Sequence, residues 1–274
     1  MVTPEYVHGY SAGEVQRLID QATTLTELLH QDTRYPQGSS VLEAGCGVGA
    51  QTVVLAGNSP GAHFTSVDIS AASLEAARAR VDETGHGNVV FQQGDIYRLP
   101  FPDLSFDHVF VCFVLEHLNR PEQALLHLGA KLKPGGTLTV IEGDHGSTYF
   151  YPDSRDAWRT IQCLIDLQAL KGGDALIGRR LFPLLTQCGF SGVQVSPRMV
   201  YVDSSKPDYV EGFTKKTFIA MVEGVRDQAL GAGMSTAQAW ERGIRHLYRT
   251  TEKDGTFCYT FFKAVARKSP LAGE

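Results

Sequence analysis

Apolar positions recur at two different spacings along this chain. Over residues 11–30 they fall at Val15, Leu18, Ile19, Ala22, Leu25, Leu28 and Leu29, which is helical spacing, and Ser11 three residues before Glu14 supplies a capping box. Short apolar runs follow at 41–42, 63–67, 88–92, 107–112 and 137–142 and read as strands. Between them, residues 51–56, 71–84 and 120–132 read as helices, the second capped by Ser70 and the third led by Pro121. Strands alternating with helices predict an α/β fold with a parallel sheet, right-handed crossovers and a ligand at the carboxyl ends of the strands. Past residue 142 the pattern loosens. Residues 144–154 read as an aromatic-rich loop, 156–170, 178–188, 206–230 and 235–251 as helices, and 193–202 and 256–267 as strands.

The strand at 41–42 stops at three glycines spaced by one, Gly45, Gly47 and Gly49, and a helix follows. Glycine permits positive φ and close approach of a ligand, and the helix start offers unpaired N–H groups. With Ala50 in the last position the run also fits the loose dinucleotide fingerprint. Glu43, however, places a carboxylate where a dinucleotide would put its pyrophosphate, and two anions repel. A cationic ligand suits the spot better. Asp68 ends the next strand, twenty-three residues after Gly45, at the offset of a ribose acceptor, and Gly94-Asp95-Ile96 places a second acid at the end of the third. A ribose acceptor, an adenine-edge acceptor and an ammonium partner together describe S-adenosylmethionine.

These residues carry a resemblance. The run from Glu43 to Gly49, Asp68, Gly94-Asp95, the strand Phe106-Asp107-His108-Val109-Phe110 leading to Leu115-Glu116-His117-Leu118, and Leu132-Lys133-Pro134-Gly135-Gly136 are similar to the motifs of class I S-adenosylmethionine-dependent methyltransferases, of the UbiE-like small-molecule group (methyltransferase type 11). The resemblance spans residues 39–142. It implies a Rossmann-like, doubly wound sheet of seven strands with the last antiparallel, in a single domain over 1–274. Residues 1–36 would form an N-terminal helical cap, 37–145 the cofactor-binding core, and 146–190 and 204–252 helical lid and substrate insertions. It further implies a cofactor set of Tyr10, Glu43, Gly45, Cys46, Gly47, Gln51, Asp68, Ile69, Gly94, Asp95, Ile96, Cys112, Phe113 and His117. Within that set Glu43, Gly45, Gly47 and Asp68 would hold methionine and ribose, and Asp95 and Ile96 adenine. Cys112, Phe113 and His117 would border the methyl group. Tyr6, Tyr10 and Arg17 are candidates to close the site.

Composition narrows the partners. With 274 residues, 43% hydrophobic and 20% charged, the chain can bury a full core, and a net charge of -5 argues against the basic footprint that nucleic acid or an anionic membrane needs. A small-molecule substrate is favoured. No leader pattern and no window of about 18 apolar residues is present, which points to the cytoplasm and to no membrane partner. The five cysteines are odd in number and hold no C-x-x-C pair, so neither a disulfide framework nor a zinc site follows. The oligomeric state stays open, a homodimer included.

Methyl transfer needs donor and acceptor held in line, and a base where the acceptor carries a proton. His145, with Asp144 beside it, is the preferred base candidate, and His117 the second. Glu116-His117 and Asp144-His145 are adjacent pairs whose side chains diverge in extended chain, so no metal is expected. Cys112-Phe113-Val114-Leu115 lacks the Asn/Asp-Pro-Pro-Tyr/Phe pattern of enzymes acting on exocyclic amines. Tyr149, Phe150, Tyr151, Trp158, Phe213, Phe218 and Trp240 fit either an apolar or aromatic substrate or ordinary core. Two rival functions remain, a non-catalytic S-adenosylmethionine-binding sensor or partner subunit and an NAD-dependent oxidoreductase.

Overall fold

Runs such as Val109-Phe110-Val111 are apolar on both sides of the strand, so both faces of the sheet they form must be covered. The computed structural model describes residues 12–269. Its strands are β1 Ser40–Ala44, β2 His63–Asp68, β3 Val89–Gln93, β4 Phe106–Cys112, β5 Leu132–Tyr151, β6 Phe190–Asp203 and β7 Thr256–Lys268, in the order β3-β2-β1-β4-β5-β7-β6. β1 to β5 pair in parallel, and β7 runs antiparallel to both β5 and β6. This is a Rossmann-like, doubly wound sheet.

Strand alternation sends neighbouring side chains to opposite layers. Phe110 of β4 packs in one core with Leu25 and Leu29 of α1 (Ala12–His30), Leu55 of α2 (Ala50–Asn58) and Leu164 of α5 (Arg155–Leu170). Val109 and Val111 pack on the other side with Leu125 and Leu128 of α4 (Pro121–Lys131) and Leu184 of α6 (Leu181–Gln187). Helix α3 (Ala71–Thr84) completes the β2–β3 edge. Its Ser70 cap accepts the Ser73 N–H at 3.2 Å, and Gly85 closes it in left-handed conformation. Strand order reverses between β1 and β4, and there the carboxyl ends open a crevice.

Two elements depart from the sequence pattern. Residues 144–151 continue β5 instead of forming a loop, because β7 pairs with them from Asp144↔Thr260 to Tyr151↔Thr256 across a register shift. Residues 206–230 do not form one helix. A π-helix, Val210–Ile219, is followed by α-helices Ala220–Glu223 and Arg226–Gly231. Gly212 lets α1 cross this segment closely, since a Cβ there would sit 2.2 Å from Thr24 Oγ1. Thr217 Oγ1 donates to the Gly212 carbonyl, five residues back, at 2.8 Å. No helix among the described residues is long and apolar enough to cross a membrane.

Candidate functional site

The glycine turn is built by strand β2. The amides of Gly45 and Cys46 both donate to the Val67 carbonyl at 2.8 and 3.0 Å, and the Gly47 amide donates to Asp68 Oδ2 at 2.8 Å. The other Asp68 oxygen accepts the Ser70 N–H at 2.9 Å. One carboxylate therefore ties the turn to the start of α3. All three glycines have positive φ, and around Gly47 a Cβ would meet nothing within 4 Å, which leaves its backbone open to a ligand. Asp95, half-buried after β3, accepts the Tyr97 N–H at 2.9 Å, Gly94 packs on Val67, and Ile69 is exposed, its carbonyl accepting from Gln93 Nε2 at 2.9 Å. Cys46 and Cys112 are buried thiols raised by desolvation. Tyr10 lies outside the described residues.

Two members of the expected set are occupied by the protein itself. Gln51 Oε1 lies 2.6 Å from Nε2 of His30, whose burial lowers its pKa to about 4. Glu43 is 2% exposed, and its Oε2 accepts from Thr52 and Ser66 hydroxyls at 2.7 and 2.6 Å. Burial pushes its pKa up to about 7, so near neutrality it is only partly the carboxylate the sequence pattern suggests. A carboxyl raised in the folded state stabilises fully below its ordinary 4.5 and loses that contribution as pH rises through about 7. The wild type should therefore lose about 2 kcal/mol more stability than Glu43→Gln between pH 5 and 8 in urea unfolding. Equal losses in the two proteins would remove Glu43 as the titrating group.

After β4 the chain turns through Phe113, whose φ of +57° is unusual for a side-chain-bearing residue. Glu142 holds this turn: its Oε1 accepts the N–H groups of Val114 and Leu115 at 3.0 and 2.8 Å. Burial and the neighbouring Glu116 raise Glu142 well above the usual carboxylate range. The turn delivers Phe113, Glu116 and His117 to a pocket. His117 Nε2 lies 3.6 Å from Glu116 Oε1, and Gln168 donates to both the Glu116 carbonyl and its side chain.

The far wall comes from β5, β7, α1 and the π-helix. His145, 4% exposed, lines it and places Nδ1 2.7 Å from Tyr259 Oη. Burial lowers the His145 pKa, so its ring is neutral near pH 7. Phe213, Phe218, Met221 and Phe261 supply apolar surface, and Arg17 and Gln21 supply polar groups from α1. Asp144 lies on the opposite side of the strand, where both its oxygens meet Arg179 at 2.7 Å. That bidentate pair makes Asp144 a structural anchor. Of the seven aromatics that the sequence offered as substrate wall or core, Phe213 and Phe218 line this pocket. Tyr149 and Tyr151 are exposed, Phe150 stacks on Trp158 with ring centroids 4.9 Å apart, and Trp240 is core. Tyr259 and Phe261 escaped the sequence reading, although Phe257, Tyr259 and Phe261 fall at alternate positions of one strand.

The residues from β1 into β5, which carry the glycine turn, Asp68, Asp95 and the Glu116-His117 turn, match a family model described as a methyltransferase domain, over 42–140. Residues 42–140 are a methyltransferase domain. The matched stretch of this domain ends before His145, so the far wall of the pocket belongs to residues outside it. The chain is 33% identical over 238 residues to an uncharacterised 37.1 kDa protein of transposon Tn4556 from Streptomyces fradiae, covering 85% of this chain and 64% of that one. It is 36% identical over 110 residues to a demethylmenaquinone methyltransferase of Listeria welshimeri, covering 40% and 47%. The chain thus spans about half to two thirds of the length of these relatives. The fold matches a phosphoethanolamine N-methyltransferase of Haemonchus contortus, solved in complex with phosphomonomethylethanolamine and S-adenosylhomocysteine. The TM-score is 0.56 at 16% identity, covering 91% of this chain and 53% of that one.

Proposed function

We propose that the protein is an S-adenosylmethionine-dependent methyltransferase acting on a small molecule held in the pocket between Glu116, His117 and His145. The observation that carries this reading is the continuity of the two halves of the site. Val114 of the Phe113 turn, which Glu142 holds in place, packs its side chain against Gly45 of the glycine turn, while Phe113, Glu116 and His117 of the same segment line the pocket. The residues present suit the cofactor. Gly47 leaves backbone open, Asp68 and Asp95 are acids at adjacent strand ends, and Phe113 adds apolar surface on the pocket side of the turn after β4.

When bound, the cofactor supplies an electrophilic methyl group. The chain's own residues do the rest. Helix α1 and the π-helix wall the pocket with Leu18, Phe213 and Phe218, apolar surface that disfavours water beside the reacting atoms. The aromatic wall of Phe213, Phe218 and Phe261 favours an apolar or flat unsaturated acceptor, and the polar groups on the wall orient it. The test is turnover. Purified protein with S-adenosylmethionine and a panel of hydroxylated and carbonyl-bearing aromatic and terpenoid compounds should form S-adenosylhomocysteine with at least one acceptor. Binding of the cofactor with no product across the panel would support a sensor or partner subunit instead.

A further inference from the structure

His145 and Tyr259 meet on the pocket wall from neighbouring antiparallel strands, β5 and β7. They are 114 residues apart in sequence, and the ring nitrogen Nδ1 is 2.7 Å from the phenol oxygen. Both side chains are at most 4% exposed. A buried hydroxyl must find an acceptor for its proton, and among the described residues His145 is the hydrogen-bonding side chain of Tyr259. Burial raises the Tyr259 pKa well above its ordinary value and lowers that of His145. The pair is therefore a neutral phenol beside a neutral imidazole, not a phenolate beside an imidazolium.

A neutral imidazole carries one proton, and each ring nitrogen has the role the other leaves it. With the Tyr259 O–H donating to Nδ1, that nitrogen is the acceptor and the ring proton sits on Nε2. Nε2 is buried with no protein partner among the described residues, while the ring lines the pocket with Phe218 edge-on at 6.4 Å. We propose that Tyr259 is a positioning residue that fixes His145 as the Nε2–H tautomer, so that His145 donates a hydrogen bond to an oxygen of the acceptor molecule instead of taking its proton. The preferred substrate is then an apolar or aromatic molecule bearing a carbonyl, enolate or phenolate oxygen. This substrate class rests on the methyltransferase reading above; the tautomer does not. Glu116 and His117 are left as the proton acceptors on the pocket wall. The charged and titratable groups around the imidazole are Glu116, His117, Asp144 and Arg17.

The direct test is the tautomer itself. In long-range 1H–15N correlation spectra of the full chain labelled at histidine, the signals that disappear in His145→Gln belong to His145. The wild type should show a protonated Nε2 and an unprotonated Nδ1 at pH 8, and Tyr259→Phe should lose that preference. A wild-type ring protonated on Nδ1, or a Tyr259→Phe spectrum with the same tautomer as wild type, would overturn the proposal. Because the wild-type reading needs only the His145→Gln assignment, a misfolded Tyr259→Phe does not blunt it. With an acceptor from the turnover screen, His145→Gln, which keeps an N–H donor but no basic nitrogen, should turn over at least about tenfold faster than His145→Leu. Equal rates for the two variants count against the donor role. Failure of every acceptor in the screen, with the Nε2–H tautomer observed, would sink the methyltransferase reading and its substrate class but leave the Tyr259 assignment standing.

Discussion

Gly45→Ala is expected to weaken S-adenosylhomocysteine binding by at least about 100-fold, or about 3 kcal/mol. A Cβ at Gly45 would lie 2.4 Å from Val114 Cγ2 and 3.1 Å from Cγ1. Val114 has little freedom to retreat. Its N–H and that of Leu115 are both held by Glu142, and Phe113 before it already occupies positive φ. The clash must therefore displace the segment that carries Phe113, Glu116 and His117. Gly85→Ala is the control, since Gly85 has φ +72° but nothing within 4 Å of its added Cβ. That variant bears only the left-handed strain of about 1–2 kcal/mol and should bind as the wild type does. Calorimetric titration of both variants gives the comparison. Equal affinities for Gly45→Ala and Gly85→Ala would show that the Val114 contact does not shape the crevice.

Asp68→Ala should weaken the same ligand by about 100-fold for a different reason. The carboxylate orders the glycine turn through the Gly47 amide and the α3 start through the Ser70 amide, and each of its oxygens keeps a lone pair that can accept from a ribose hydroxyl. Alanine removes both functions and leaves two backbone donors without their acceptor. Asp68→Asn keeps one acceptor oxygen and should fall between alanine and wild type. An unchanged dissociation constant for Asp68→Ala in calorimetry would separate the glycine turn from ligand binding altogether.

Local chemistry made part of this structure readable from sequence. Helix α3 begins and ends where Ser70 and Gly85 place it, because capping depends on residues within a turn of each end. Parallel strands β1 to β5 follow from apolar runs separated by helices, and the glycine turn follows from its spacing. What escaped depends on distant partners. Residues 144–151 are strand only because β7 lies beside them, more than a hundred residues later in the chain. Asp144, read as a loop residue beside His145, alternates to the other face of that strand and meets Arg179. Tyr259 joins His145 through a register that no local pattern specifies. The raised pKa of Glu43 likewise reflects complete burial, which its place two residues before the glycines does not reveal.

The measurement closest to the centre of this account is competitive calorimetry on the wild-type chain with S-adenosylhomocysteine, S-adenosylmethionine and NADH. One S-adenosylhomocysteine per chain should bind, S-adenosylmethionine should displace it, and NADH should give no binding heat. Uptake of NADH together with no uptake of either sulfur ligand at millimolar concentration would contradict the account.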